Sequence, residues 1–193
     1  MLAIIRAIER GQIKGAKVAI VISDRGGAKA LEAARKHGIQ AVWLDPLGSA
    51  TRAEYDGKLL ATLRERGVTP SNGLVVLAGF MRLLSPGFVE AFRGRIVNVH
   101  PALLPSFPGL RAQEQALEHG VKVSGCTVHF VVPEVDSGPI ILQSAVKVEE
   151  GDTPDSLSAR ILKQEHIVYP AAVKLFVEGR LKIKGRKVAV AKK

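Results

Sequence analysis

Apolar residues follow two rhythms along this chain. Nearly continuous apolar runs at 17–23 and 74–78 have the pattern of strands buried on both faces. Longer segments at 2–10, 28–37, 52–66, 85–93, 113–119 and 153–178 carry the spacing of helices. The punctuation agrees. Gly38, Gly67 and Gly179 close three helical stretches, while Ser85-Pro86 and Thr153-Pro154-Asp155 open two others. Further strands are expected at 41–45 and 95–100, at 124–132, which alternates and is β-branched, and at 140–148. Strands alternating with helices predict an α/β fold, doubly wound, with a mostly parallel sheet and helices on both faces. In such sheets ligands bind beyond the carboxyl ends of the strands. His100 ends one predicted strand, and Gly79-Phe80-Met81 follows another.

Composition narrows the class. The 193 residues suffice for one domain over the whole chain, and 47% apolar content excludes a disordered protein. No apolar run is long enough to span a bilayer, and no secretory signal pattern opens the chain. Cys126 is the single cysteine and has no partner for an internal disulfide, so a cytoplasmic enzyme is the simplest expectation. The net charge of +10 invites a nucleic-acid reading. Much of the excess lies at 180–193, in Arg180, Lys182, Lys184, Arg186, Lys187, Lys192 and Lys193. No aromatic residue is interleaved there to stack on bases, so a solvated basic tail is expected rather than a nucleic-acid arm. His37, His119 and Cys126 lack ligand-like spacing, so no metal site is expected. No Walker loop or Gly-x-Ser-x-Gly elbow is present, and Asp24-Arg25-Gly26-Gly27 reads as a turn.

The chemistry concentrates in two short stretches. Side chains alternate along a strand, so Asn98 and His100 share a face, and Pro101 ends the strand immediately after the imidazole. Either residue alone reads more simply as a structural polar group. Asp136 stands in a Val-Asp-Ser-Gly-Pro stretch that by itself reads as an Asx-turn. An aspartate near His100 favours the imidazolium form and suits a general acid. His129 reads as a core or supporting residue. Glu165-His166, on the last helix, fits a surface or packing role as well as a ligand contact.

Taken together, several stretches resemble the phosphoribosylglycinamide formyltransferases, folate-dependent enzymes of purine synthesis. The matching segments are Leu77-Ala-Gly-Phe-Met-Arg-Leu-Leu-Ser-Pro86, Asn98-Val-His-Pro-Ala-Leu-Leu-Pro105, Phe107-Pro-Gly-Leu110, 125–130, Asp136-Ser-Gly-Pro139 and Gln164-Glu-His-Ile-Val-Tyr-Pro170. The resemblance implies formyl transfer from 10-formyltetrahydrofolate to the amine of glycinamide ribonucleotide, without a metal. It implies Asn98, His100 and Asp136 as the catalytic trio. It assigns the folate side to Arg52, Met81, Arg82, Leu83, Leu84 and Asn98, with Val132, Glu134 and Val135 in the pterin loop. Gly79, Pro101 and Glu165 fall on the nucleotide side. The implied partners are small molecules, with neither membrane nor nucleic acid, and a homodimer is compatible with it.

One departure is expected to matter. Family members begin with a buried strand and a glycine-, serine- and asparagine-rich phosphate loop, whereas Met1-Leu-Ala-Ile-Ile here matches the helix that follows. The first strand is therefore expected to be missing, its neighbours left with unpaired backbone, and the sequence to be truncated at its start. Rival readings are an inactive folate-binding paralogue and another formyl-folate enzyme. Of the latter, a methionyl-tRNA formyltransferase carries an extra C-terminal domain and a formyltetrahydrofolate hydrolase an extra N-terminal one.

Overall fold

The computed structural model describes residues 1–192. Its elements run α1 (Leu2–Glu9), β1 (Val21–Ser23), α2 (Lys29–Lys36), β2 (Ala41–Trp43), α3 (Arg52–Glu65), β3 (Val75–Leu77), α4 (Pro86–Ala91), β4 (Ile96–His100), α5 (Ala112–Glu118), β5 (Val123–Phe130), β6 (Ile140–Lys147), α6 (Pro154–Val177), β7 (Leu181–Lys184) and β8 (Lys187–Val190). Every predicted helix and strand is present, with ends shifted by a few residues. Local chemistry explains the starts. The hydroxyls of Thr51, Ser85 and Thr153 accept the N–H groups of Glu54, Phe88 and Ser156, capping α3, α4 and α6.

The fold is the expected α/β type with a mixed sheet. Parallel ladders join β1 to β2 and β3 to β4, and β6 meets β8 in parallel through one residue pair. The β4–β5, β5–β6 and β7–β8 ladders are antiparallel. The six-stranded order is β3-β4-β5-β6-β8-β7, and β1-β2 form a separate pair. One core cluster sets α1 and α6 against β4, β5 and β6 through Ile4, Val97, Val128, Phe130, Ile141 and Tyr169. A second packs α3 and α4 through Leu59, Leu63, Phe88 and Phe92. Among the described residues no helix is long and apolar enough to cross a membrane.

Between β1 and β3 the sheet is interrupted. Both strands line a cleft of about 1210 Å³, with Ile20, Ile22 and Val76 on its edges and Ile5, Leu59 and Phe176 from the flanking helices. The predicted strand at 17–23 keeps only Val21–Ser23, the three residues that pair with β2.

The expected basic tail is corrected. Residues 181–190 form a β-hairpin on the edge of the larger sheet. Leu181, Ile183, Val188 and Val190 alternate with charged or small residues, and Gly185 takes the positive φ of 57° that a two-residue hairpin turn requires at its first position. The lysines and arginines mask an alternating strand pattern.

Candidate active site

The site forms at the carboxyl ends of β3 and β4. Leu77 lies in register with Asn98, and Asn98 with His129 on the other side, so three strands meet at the carboxamide. His100, two residues on, is 4% exposed. Its Nδ1 lies 3.2 Å from Asp136 Oδ2, and its Nε2 donates to the Phe107 carbonyl at 2.7 Å. Both ring nitrogens face acceptors, an arrangement complete only when both carry protons.

Asp136 reaches His100 because its backbone is left-handed, with φ 49°, a conformation aspartate tolerates better than most side chains. The Gly109 N–H donates to Asp136 Oδ2 at 2.8 Å, holding the carboxylate from the opposite side. Gly138 makes the turn possible, since a Cβ there would come within 1.7 Å of the Phe130 carbonyl oxygen. The loop that brings Phe107 and Gly109 is tied to the sheet by Thr127. The Thr127 hydroxyl donates to Ala102 O at 2.7 Å and accepts the Leu104 N–H at 3.0 Å. Gln143 donates to the Leu104 carbonyl at 2.9 Å.

His129 is buried behind the trio, in keeping with the core or supporting place expected for it. It is 1% exposed, and its Nε2 lies 3.4 Å from Asn98 Nδ2 and 3.6 Å from Asp136 Oδ1. Burial pushes its pKa down, opposed by the Phe130 carbonyl and by Asp136. Its register opposite Asn98 is the signal that points to it, and that register exists only once β4 and β5 are paired.

The remaining expected residues divide. Gly79, with φ 68°, opens the segment after β3, where Met81 and Leu83 are 67% and 50% exposed. The Arg82 guanidinium lies 4.7 Å from the centre of the Tyr55 ring. Leu84 is buried with Phe88 and Phe92 and anchors the segment from within the core. Val132 is half-buried, while Glu134 and Val135 are exposed on the loop that carries Asp136. Pro101 is half-buried directly after His100. Arg52 is exposed on the first turn of α3, outside the hydrogen-bonded cluster.

Glu165 is placed by α6. Phe176 lies beside Arg95 at the start of β4, and the Tyr169 hydroxyl donates to the Leu77 carbonyl at 2.6 Å with the Val97 carbonyl 3.0 Å away, further along. The helix therefore runs antiparallel to β4, and Glu165, about 6 Å further up its axis, lies toward the carboxyl ends of β3 and β4. Burial pushes its pKa up, opposed by the Met1 ammonium. Burial also pushes the Cys126 thiol up to about 11, leaving it inert as a nucleophile at neutral pH. Among the described residues no group of three or more His, Cys, Asp or Glu is arranged to hold a metal ion.

The arrangement presents two hydrogen-bond donors, Asn98 and His100, with the Asp136 carboxylate 3.2 Å from the ring of the second. It suits stabilising negative charge on a carbonyl oxygen. Comparison with known proteins agrees. The profile of a family described as "Formyl transferase" matches residues 1–173. The phosphoribosylglycinamide formyltransferase of Escherichia coli is 44% identical over 94% of this chain and 83% of its own length. The trifunctional purine biosynthetic protein adenosine-3 of Homo sapiens is 44% identical over 87% of this chain, which spans 16% of that longer protein. The crystal structure of glycinamide ribonucleotide transformylase 1 from Symbiobacterium toebii superposes with a TM-score of 0.94 at 53% identity, covering 98% of this chain and 87% of that one. The chain belongs to the formyl transferase family.

Proposed function

We propose that this chain transfers the formyl group of 10-formyltetrahydrofolate to the primary amine of glycinamide ribonucleotide, a step of purine biosynthesis. The observation that carries this reading is the convergence of Asn98, His100 and Asp136, drawn from β4 and a distant loop, in a member of this family. The names of its relatives supply the ribonucleotide and the formyl group, and the family resemblance supplies the folate donor.

The residues present fit a flat, partly apolar folate. Met81, Leu83 and Val135 leave large apolar side chains in solvent around the polar trio, which is what a ligand of that kind covers. Arg52, Arg82, Val132, Glu134 and the backbone anchored by Leu84 complete the folate side. Gly79, Pro101 and Glu165 face the nucleotide side, where a carboxylate can accept ribose hydroxyls.

The bound folate supplies an activated formyl carbon that the substrate amine attacks, so no side-chain nucleophile is needed. Asn98 donates an N–H to the formyl oxygen as it gains negative charge. His100 donates from Nε2, the atom that now donates to Phe107 O, so the formyl oxygen takes the place of that carbonyl. Asp136 holds the imidazolium through Nδ1 and positions a water that relays the proton from the attacking amine to the folate nitrogen as the bond between that nitrogen and the formyl carbon breaks. A donor of this kind contributes roughly 10²–10³ in rate.

The test is turnover of the purified chain with both substrates, followed as tetrahydrofolate release. Release that depends on glycinamide ribonucleotide and disappears in folded His100→Ala supports the reading. Equal release by His100→Ala overturns it.

A further inference from the structure

We infer that His129 acts as a positioning residue that fixes which way the Asn98 carboxamide points its N–H groups. The inference rests on the formyl-transfer reading for its consequence, though not for its geometry. His129 Nδ1 lies 2.9 Å from the Phe130 carbonyl oxygen, a group that only accepts, so Nδ1 carries the ring proton. The ring is 1% exposed, and a buried imidazole is held in its neutral form. Nε2 is then a bare lone pair. It faces Asn98 Nδ2 at 3.4 Å.

This decides an orientation that a carboxamide does not decide for itself. With Oδ1 turned toward the ring, two lone pairs would meet in a buried place. With Nδ2 turned toward it, one N–H is accepted by the imidazole. The second N–H is left on the open side, on the face that Asn98 shares with His100. The Asp136 carboxylate lies 3.6 Å from the same Nε2, beyond a hydrogen bond, and stays committed to His100 and the Gly109 N–H. The irregularity of the β5–β6 ladder falls at Val128/His129, where a bulge re-aims a side chain. His129 thus aims one oxyanion donor without touching the substrate.

The test compares His129→Leu, which fills the space without an acceptor, with His129→Gln, whose carbonyl can accept from Asn98. The account expects His129→Leu to lose roughly 10–100-fold in kcat, less than outright loss of a donor. KM should change little, and His129→Gln should recover most of the loss. In an Asn98→Ala background, His129→Leu should cost nothing further. A full additional loss there, or a loss confined to KM, would show a packing role and overturn the inference. A second readout needs no activity. Nitrogen-15 NMR should show His129 with a protonated Nδ1 and a bare Nε2, and one Asn98 side-chain proton shifted downfield by its bond to the ring, a shift lost in His129→Leu. A protonated Nε2 overturns the inference whether or not the chain transfers formyl groups. Absence of transfer alongside the expected tautomer would count against the function alone.

Discussion

Replacing Asp136 by Asn tests the electrostatic core of the site with little change of shape. Asparagine tolerates the left-handed backbone at φ 49°, and its side-chain oxygen can still accept the Gly109 N–H now donated to Oδ2. What disappears is the negative charge 3.2 Å from His100 Nδ1. Both side chains are largely buried, at 5% and 12% exposure, so solvent screens the pair weakly. At an effective dielectric constant of about 20, two unit charges at that distance attract by roughly 5 kcal/mol. A carboxamide dipole keeps part of this, leaving a loss of about 2–3 kcal/mol in stabilising the charged imidazole. In rate that is roughly 30- to 150-fold. The assay is steady-state formyl transfer with each substrate varied, alongside thermal unfolding. The expected result is a fall of that size in kcat, with KM for both substrates changed little and Tm nearly unchanged. Unchanged kcat, or a defect wholly in KM, would refute the assignment of Asp136 as the group that keeps His100 charged.

Three further outcomes follow from the packing and the ladders. Gly138→Ala should destabilise the fold by about 2–4 kcal/mol, because its Cβ would collide with the Phe130 carbonyl; a urea midpoint like the wild type would contradict the turn geometry. Hydrogen bonds from Arg160 and Ser156, joined by the Glu149 N–H, hold Asp152 well below the usual carboxylate range. Asp152 therefore adds stability that is present above about pH 3.9 and is lost as pH falls toward its folded value. Arg160→Gln should move the midpoint of acid unfolding, followed by circular dichroism, to higher pH, and an unmoved midpoint would dismiss the pair. In β1 and β3 the N–H groups of Val21 and Val75 point to β2 and β4, so alternation turns those of Ile22 and Val76 into the cleft. Hydrogen exchange on the 193-residue chain should find these two amides at least about 100-fold less protected than Val75, and equal protection would mean that the cleft is closed.

The parts of this molecule legible in the sequence are those that local periodicity controls. Asn98 and His100 share a face because strands alternate, and that needs no tertiary information. Helix starts at Thr51, Ser85 and Thr153 are visible because the capping residue sits beside the helix it caps. Asp136 is different. Its own neighbours make it a turn residue, and only the contact with Gly109, 27 positions away, turns it toward His100. His129 read as a core or supporting residue, but which group it supports cannot be read from β5 alone, because its partner Asn98 lies across the ladder. Leu84 came from the family resemblance as part of the Met81–Leu84 segment, and its burial follows from the turn into α4. The hairpin at 181–190 escaped because its lysines and arginines dominate the composition, while the alternation and Gly185 that shape it are quieter signals. Family resemblance supplied the rest: nothing in the spacing of Glu165 or Arg52 identifies a ligand.

The most direct test of the account uses a carbon-13-labelled formyl donor with glycinamide ribonucleotide and follows the label by NMR. The account predicts that the label appears as a formamide on the substrate amine, and that folded Asn98→Ala and His100→Ala slow its appearance by roughly 10²–10³. Label released as free formate, or arriving on the amine at the wild-type rate in both variants, would contradict it.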